Sequence, residues 1–115
     1  MELNFVQAFS LTFVIETAIL YLLLRKAYTV KQILSVSFVA NALTHPVVWF
    51  VFPSLAGSFG FDYLFQTIFS ELFAFFAEAL VFVLLLKMAL RDAALVSFAC
   101  NAASFLAGLL LTYVF

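Results

Sequence analysis

The sequence predicts an all-α integral membrane bundle of four transmembrane helices, built as two tandem helical hairpins. Three observations point to it. Of the 115 residues, 68% are hydrophobic and only 10% charged, against about half and about a quarter in an average soluble domain, and the mean hydropathy is +1.25. The apolar residues fall into four runs parted by three short connections, and each run reaches the roughly 20 residues that a span requires. Finally, the stretch Glu16-Thr17-Ala18-Ile19-Leu20-Tyr21-Leu22-Leu23-Leu24-Arg25 returns as Glu78-Ala79-Leu80-Val81-Phe82-Val83-Leu84-Leu85-Leu86-Lys87. In both copies an acid lies deep in an apolar run that closes with a cation.

The first hairpin is expected over 1–52, with spans near 3–24 and 32–52. Its first run is broken only by Gln7, Ser10, Thr12, Glu16 and Thr17. Between the runs, 25–31 holds Arg25, Lys26 and Lys31, three of the five cations, and so is expected on the cytoplasmic side. The second run contains Asn41, Thr44, His45 and then Pro46, which should bend the helix because proline lacks the amide hydrogen of the ladder. Trp49, near the far end, suits a membrane interface. Proline, two glycines and small polar residues make 53–62 an expected outer interfacial loop.

The second hairpin is expected over 63–115, with spans near 63–86 and 93–115. Lys87 and Arg91 place the remaining two cations in the connection 87–92. Because both cationic loops follow odd-numbered spans, the positive-inside rule predicts both termini on the non-cytoplasmic face. No cation precedes the first run, so no cleaved signal peptide is expected.

Internal repetition extends beyond the acids. A shift of 62 sets Glu16 on Glu78 and Arg25 on Lys87; a shift of 60 sets Ser37 on Ser97, Asn41 on Asn101 and Thr44 on Ser104. Two copies of an even number of spans share one orientation, which predicts a parallel repeat about an axis along the membrane normal. Depth follows by counting. Each Glu lies nine residues from its closing cation, about 13.5 Å, and each Asn ten residues from Lys31 or Arg91, about 15 Å. All four belong at one level near the midplane, with Glu71 two turns and His45 one turn further out. On the third run Phe61, Phe65, Phe69, Phe73 and Phe76 share a stripe expected to face lipid, opposite Thr67, Glu71, Ala74 and Glu78. Ser97, Asn101, Ser104 and Gly108, like Ser37, Asn41 and Thr44, form small polar stripes suited to close helix packing.

A carboxylate in hydrocarbon costs several kcal/mol, roughly 2.5 to 3.5 on insertion scales, unless a partner or a proton relieves it. Glu16, Glu78, Asn41, Asn101, Glu71 and His45 are therefore the candidate proton or ion site, and Ser37, Thr44, Ser97, Ser104 and Gly108 the candidate packing set. Passage or exchange of a proton or small cation is the expected function. The alternative is a non-catalytic accessory or assembly subunit of a larger membrane complex, with the Glu/Asn layer purely structural. A monomer of four helices has little room for a pore, so a homo-oligomer or larger complex is expected in the lipid bilayer. With a net charge of -1 there is no basic surface for nucleic acid. Glu-x-x-His, His-Glu-x-x-His and Gly-x-Ser-x-Gly do not occur, so no catalytic residue, metal centre or cofactor is expected. Cys100, the single cysteine, can form no internal disulfide and reads as a small packing residue.

Overall fold

Hydrophobic runs this long, with their ladder amides satisfied internally, form helices, and a computed structural model describes five of them over residues 4–60 and 62–113. They are α1 (Phe5–Leu24), α2 (Val30–Pro46), α3 (Phe52–Phe59), α4 (Tyr63–Leu86) and α5 (Leu90–Tyr113). Four segments are long and apolar enough to cross a membrane: Phe5–Leu24, Val30–Phe59, Tyr63–Leu86 and Leu90–Leu111. The chain is an integral membrane protein by that measure. Its longest extent, 44 Å, is close to the about 40–45 Å of a bilayer with its headgroups.

Helix starts follow from local polar side chains. Asn4 Oδ1 accepts the Gln7 amide at 2.8 Å while Gln7 Oε1 accepts the Asn4 amide at 3.1 Å, and Thr29 with Gln32 repeats this reciprocal cap at 3.1 and 2.9 Å. Each box satisfies orphan amides of a first turn. Asp62 caps α4 by accepting the Phe65 amide at 2.8 Å. At the other end of α4 the chain turns through Lys87 in the left-handed region, φ 56°, a conformation costing roughly 1–2 kcal/mol for a residue with a Cβ. The Tyr28 hydroxyl donates to the Leu86 carbonyl there at 3.1 Å, pairing one of the carbonyls the helix end leaves over.

The expected loop at 53–62 is a correction. The second span does not stop at Phe52: a π-helical turn over Val47–Val51 carries it into α3, and the helix ends at Gly60 in the left-handed conformation, φ 72°. Two prolines explain the path. Pro46 has no amide to give, and the Val47 amide instead bonds the Thr44 carbonyl. Pro53 then sits in the first turn of α3, where proline is tolerated, and the wide turn before it keeps its ring off the carbonyl four residues back. The other starts also move, α2 to Val30 and α5 to Leu90.

Helix α1 packs on α2 and α5, and α4 packs on the same two. Consequently α1 stands diagonally across from α4, and α2 from α5. The apolar core fills the half nearest the two cationic connections, with Leu20, Leu24, Ile33, Val36, Phe82, Leu86, Ala93, Val96 and Cys100 buried together. All five cations are exposed at that end. Large apolar side chains such as Val14, Leu22, Phe38, Leu84 and Phe98 are exposed outward, as lipid-facing residues should be. The phenylalanine stripe of α4 needs one correction. Phe65, Phe69 and Phe76 are exposed, but Phe73 is half-buried because Phe52 of α3 lies against it, ring centroids 5.6 Å apart; Phe61 lies outside the described residues.

Phe82 is 1% exposed and Leu84 65%, which sets up a paired test. Phe82→Ala should destabilise the bundle by about 3–5 kcal/mol through lost packing and a cavity, and Leu84→Ala by less than about 0.5 kcal/mol, measured by denaturant unfolding in mixed micelles.

Candidate functional site

Above the apolar core, at the level of the two glutamates, the packing changes from hydrocarbon to polar groups. Glu16 on α1 and Glu78 on α4 are each only 2% exposed, although they come from diagonal helices. Their carboxyls lie within interaction range of each other; Glu16 also faces Asn41 and Ser104, and Glu78 faces Asn101. Glu71, half-buried on α4, is near enough to both to act on them by charge. Glu16 Oε2 and Glu78 Oε1 are buried with no hydrogen-bond partner.

A cavity of about 190 Å³ opens over this pair. Its floor is Glu16, Asn41, Glu78 and Asn101, and its walls rise through Thr12 and Ala8 on α1, His45 and Trp49 on the second span, Glu71 on α4 and Gly108 on α5. Every one of these lies towards the ends of the helices that carry the chain termini. In the opposite direction the buried side chains of Leu20, Ile33 and Phe82, each 1% exposed, close the bundle.

The smaller polar residues divide into two kinds. Ser37 and Ser97 tie helices together: Ser37 Oγ and Thr17 Oγ1 are 2.7 Å apart across α1 and α2, and Ser97 Oγ donates to the Phe75 carbonyl at 2.7 Å across α4 and α5. The others bond to their own helix. Asn41 Nδ2 donates to the Ser37 carbonyl at 2.8 Å and Asn101 Nδ2 to the Ser97 carbonyl at 2.9 Å. Thr44 and Ser104 donate to the Ala40 and Cys100 carbonyls at 2.9 and 3.0 Å. Gly108 corrects an expectation. A Cβ built on it would meet nothing within 4 Å, because it borders the cavity and no neighbouring helix presses on it.

His45 is held by rings. Phe5 and Phe9 of α1 lie 5.2 and 5.5 Å from its centroid and Trp49 stacks on it at 5.9 Å, while its Nε2 is buried without a partner. The Cys100 thiol, fully buried, points at the Glu16 carbonyl at 3.9 Å. Among the described residues no three of His, Cys, Asp and Glu converge closely enough to hold a metal ion.

Sequence reasoning did not place Thr12, Trp49 or Phe105 at the site. The spacing of Thr12 and Glu16, four apart on α1, carries the signal for the first. Trp49, four after His45, carries it for the second, though an interfacial tryptophan is the commoner reading. No family model, curated protein or solved structure matches this chain.

Because ring contacts rather than hydrogen bonds fix His45, His45→Ala should destabilise the fold by about 1.5–4.5 kcal/mol, at about 0.5–1.5 kcal/mol for each of its three aromatic pairs. His45→Phe should largely restore it, read from thermal unfolding of the detergent-solubilised protein.

Proposed function

We propose that the protein binds and exchanges protons or small cations at the Glu16–Glu78 pair, reached from the side of the membrane on which the chain termini lie. One observation carries the reading: two carboxyls from diagonal helices meet on the floor of a cavity, each with an oxygen unpartnered. A purely structural network would leave neither a space nor an unspent acceptor, and glutamine would serve it without the hazard of ionisation. Two carboxyls in such reach of each other hold a shared proton more readily than two charges. A shared proton is an exchangeable one.

The chain is read as two copies of one hairpin related by a parallel axis. Supporting this, α1 and α4 are diagonal, as are α2 and α5. Burial also recurs under the sequence shifts: Leu20 with Phe82, Leu24 with Leu86, Val36 with Val96 and Ala40 with Cys100 are all buried. The amides of Asn41 and Asn101 make the same bond to a serine carbonyl four residues back. Exposed cations at one end only support cytoplasmic connections and termini on the opposite face.

A second reading, an accessory or assembly subunit of a larger membrane complex, has one observation in its favour. Among the described residues Leu20, Ile33 and Phe82 belong to a buried apolar cluster beneath the glutamates, so passage needs either a change of shape or a second copy or partner completing the route.

In vesicles under a pH or cation gradient, Glu16→Gln and Glu78→Gln should each lower flux by an order of magnitude or more while unfolding like the parent. Equal flux in all three proteins would leave the structural reading alone. Orientation is tested separately. In a Cys100→Ala background, a cysteine replacing Ser58 should react with impermeant maleimide from outside the cell and one replacing Ala27 should not; the reverse pattern would invert the topology.

A further inference from the structure

We infer that the guest of the cavity is a small organic cation with several N–H donors, an ammonium or guanidinium ion, taken in preference to a bare metal cation; this deepens the exchange reading above and rests on it. The atoms that the wall leaves open decide the point. Thr44 and Ser104 each donate a hydroxyl, and Asn41 and Asn101 an amide N–H, to carbonyls of their own helices. The charged groups on the wall are then the carboxyls of Glu16, Glu78 and Glu71, all acceptors when ionised, beside neutral side chains of Thr12, His45 and Trp49 that can also donate. No Lys or Arg is among the lining residues. Such a wall, with Glu16 Oε2 and Glu78 Oε1 buried and unpartnered, is complementary to a body that carries positive charge and donates in several directions.

Size excludes both extremes. At about 190 Å³ the cavity has the volume of roughly six waters at about 30 Å³ each, more than one ion fills. It is smaller than the about 300–1,000 Å³ of pockets for drug-sized ligands. A calcium-sized ion would need six or more oxygens drawn to about 2.3–2.6 Å, and the acids do not converge in that way. Spaced acceptors suit N–H bonds radiating from a polyatomic centre. The upper wall adds Trp49 and Phe105, whose ring faces attract cations, organic ones included. Charge balances when the cation enters as a proton shared by the two glutamates leaves to water, so one positive charge replaces another.

Trp49 is the single tryptophan and lines the cavity, so its emission reports on the site. Parent protein in lipid nanodiscs is titrated at constant ionic strength with guanidinium, methylammonium, tetramethylammonium, sodium or potassium chloride, with calorimetry in parallel. Guanidinium or methylammonium should give a saturable change that is lost in Glu16→Gln and Glu78→Gln. Tetramethylammonium, of equal charge without N–H, should bind at least about tenfold more weakly, since the desolvated acceptors of the wall are left unmatched. Potassium or tetramethylammonium responding as strongly as guanidinium would overturn the inference. Should the glutamine variants fail to fold, the parent alone decides: calorimetric heat for guanidinium with little for tetramethylammonium or potassium is expected, and absence of guanidinium heat overturns the inference. Proton flux without guanidinium binding defeats this inference and spares the exchange reading. Guanidinium binding without any flux supports the inference and defeats exchange.

Discussion

A carboxyl group in the middle of a bilayer is tolerated only where protein surrounds it, and two of them, on helices that stand diagonally, set the terms for this bundle. To bring Glu16 and Glu78 into each other's reach, the helices between them must present small or polar side chains at that level, and α2 and α5 do so with Asn41, Thr44, Asn101 and Ser104. The same need explains the division of the molecule into halves. Towards the cationic connections Leu20, Phe82 and Ile33 seal the interior; towards the chain ends it opens into a cavity with carboxyls on its floor.

Association of helices in lipid cannot rely on the hydrophobic effect, since lipid tails are as apolar as leucine, so packing and interhelical bonds must hold the bundle. Here the work is divided among a few contacts. Thr17 with Ser37 and Ser97 with the Phe75 carbonyl fasten neighbours within each hairpin, and Tyr28 fastens the first connection to the end of α4. Bonds of this type average about 0.6 kcal/mol, so they fix register more than they add stability, while large buried side chains such as Phe82 supply the energy.

Much of this was legible in the residues. Composition and run length were enough for four spans, and the i, i+4 and i+7 spacings put Glu71, Glu78, Asn41 and Asn101 on inward faces. The helix over Phe52–Phe59 was not legible, because proline and glycine carry the same signal whether they close a loop or open and end a short helix; the tertiary fit of Phe52 on Phe73 decides it. Gly108 misled in a related way. A small residue on a polar stripe marks either a tight crossing or an empty space beside it, and periodicity is identical in the two cases. The aromatic seat of His45 also depends on α1 crossing α2, a relation between distant residues that no local pattern encodes.

The wide turn at Val47–Val51 amounts to one surplus residue stored in an otherwise regular rod, a feature often found where proteins work. The outer portion of the second span thus stands about 100° out of phase with the inner portion. Trp49 rides on that turn, and among the described residues no other wall of the chamber contains one.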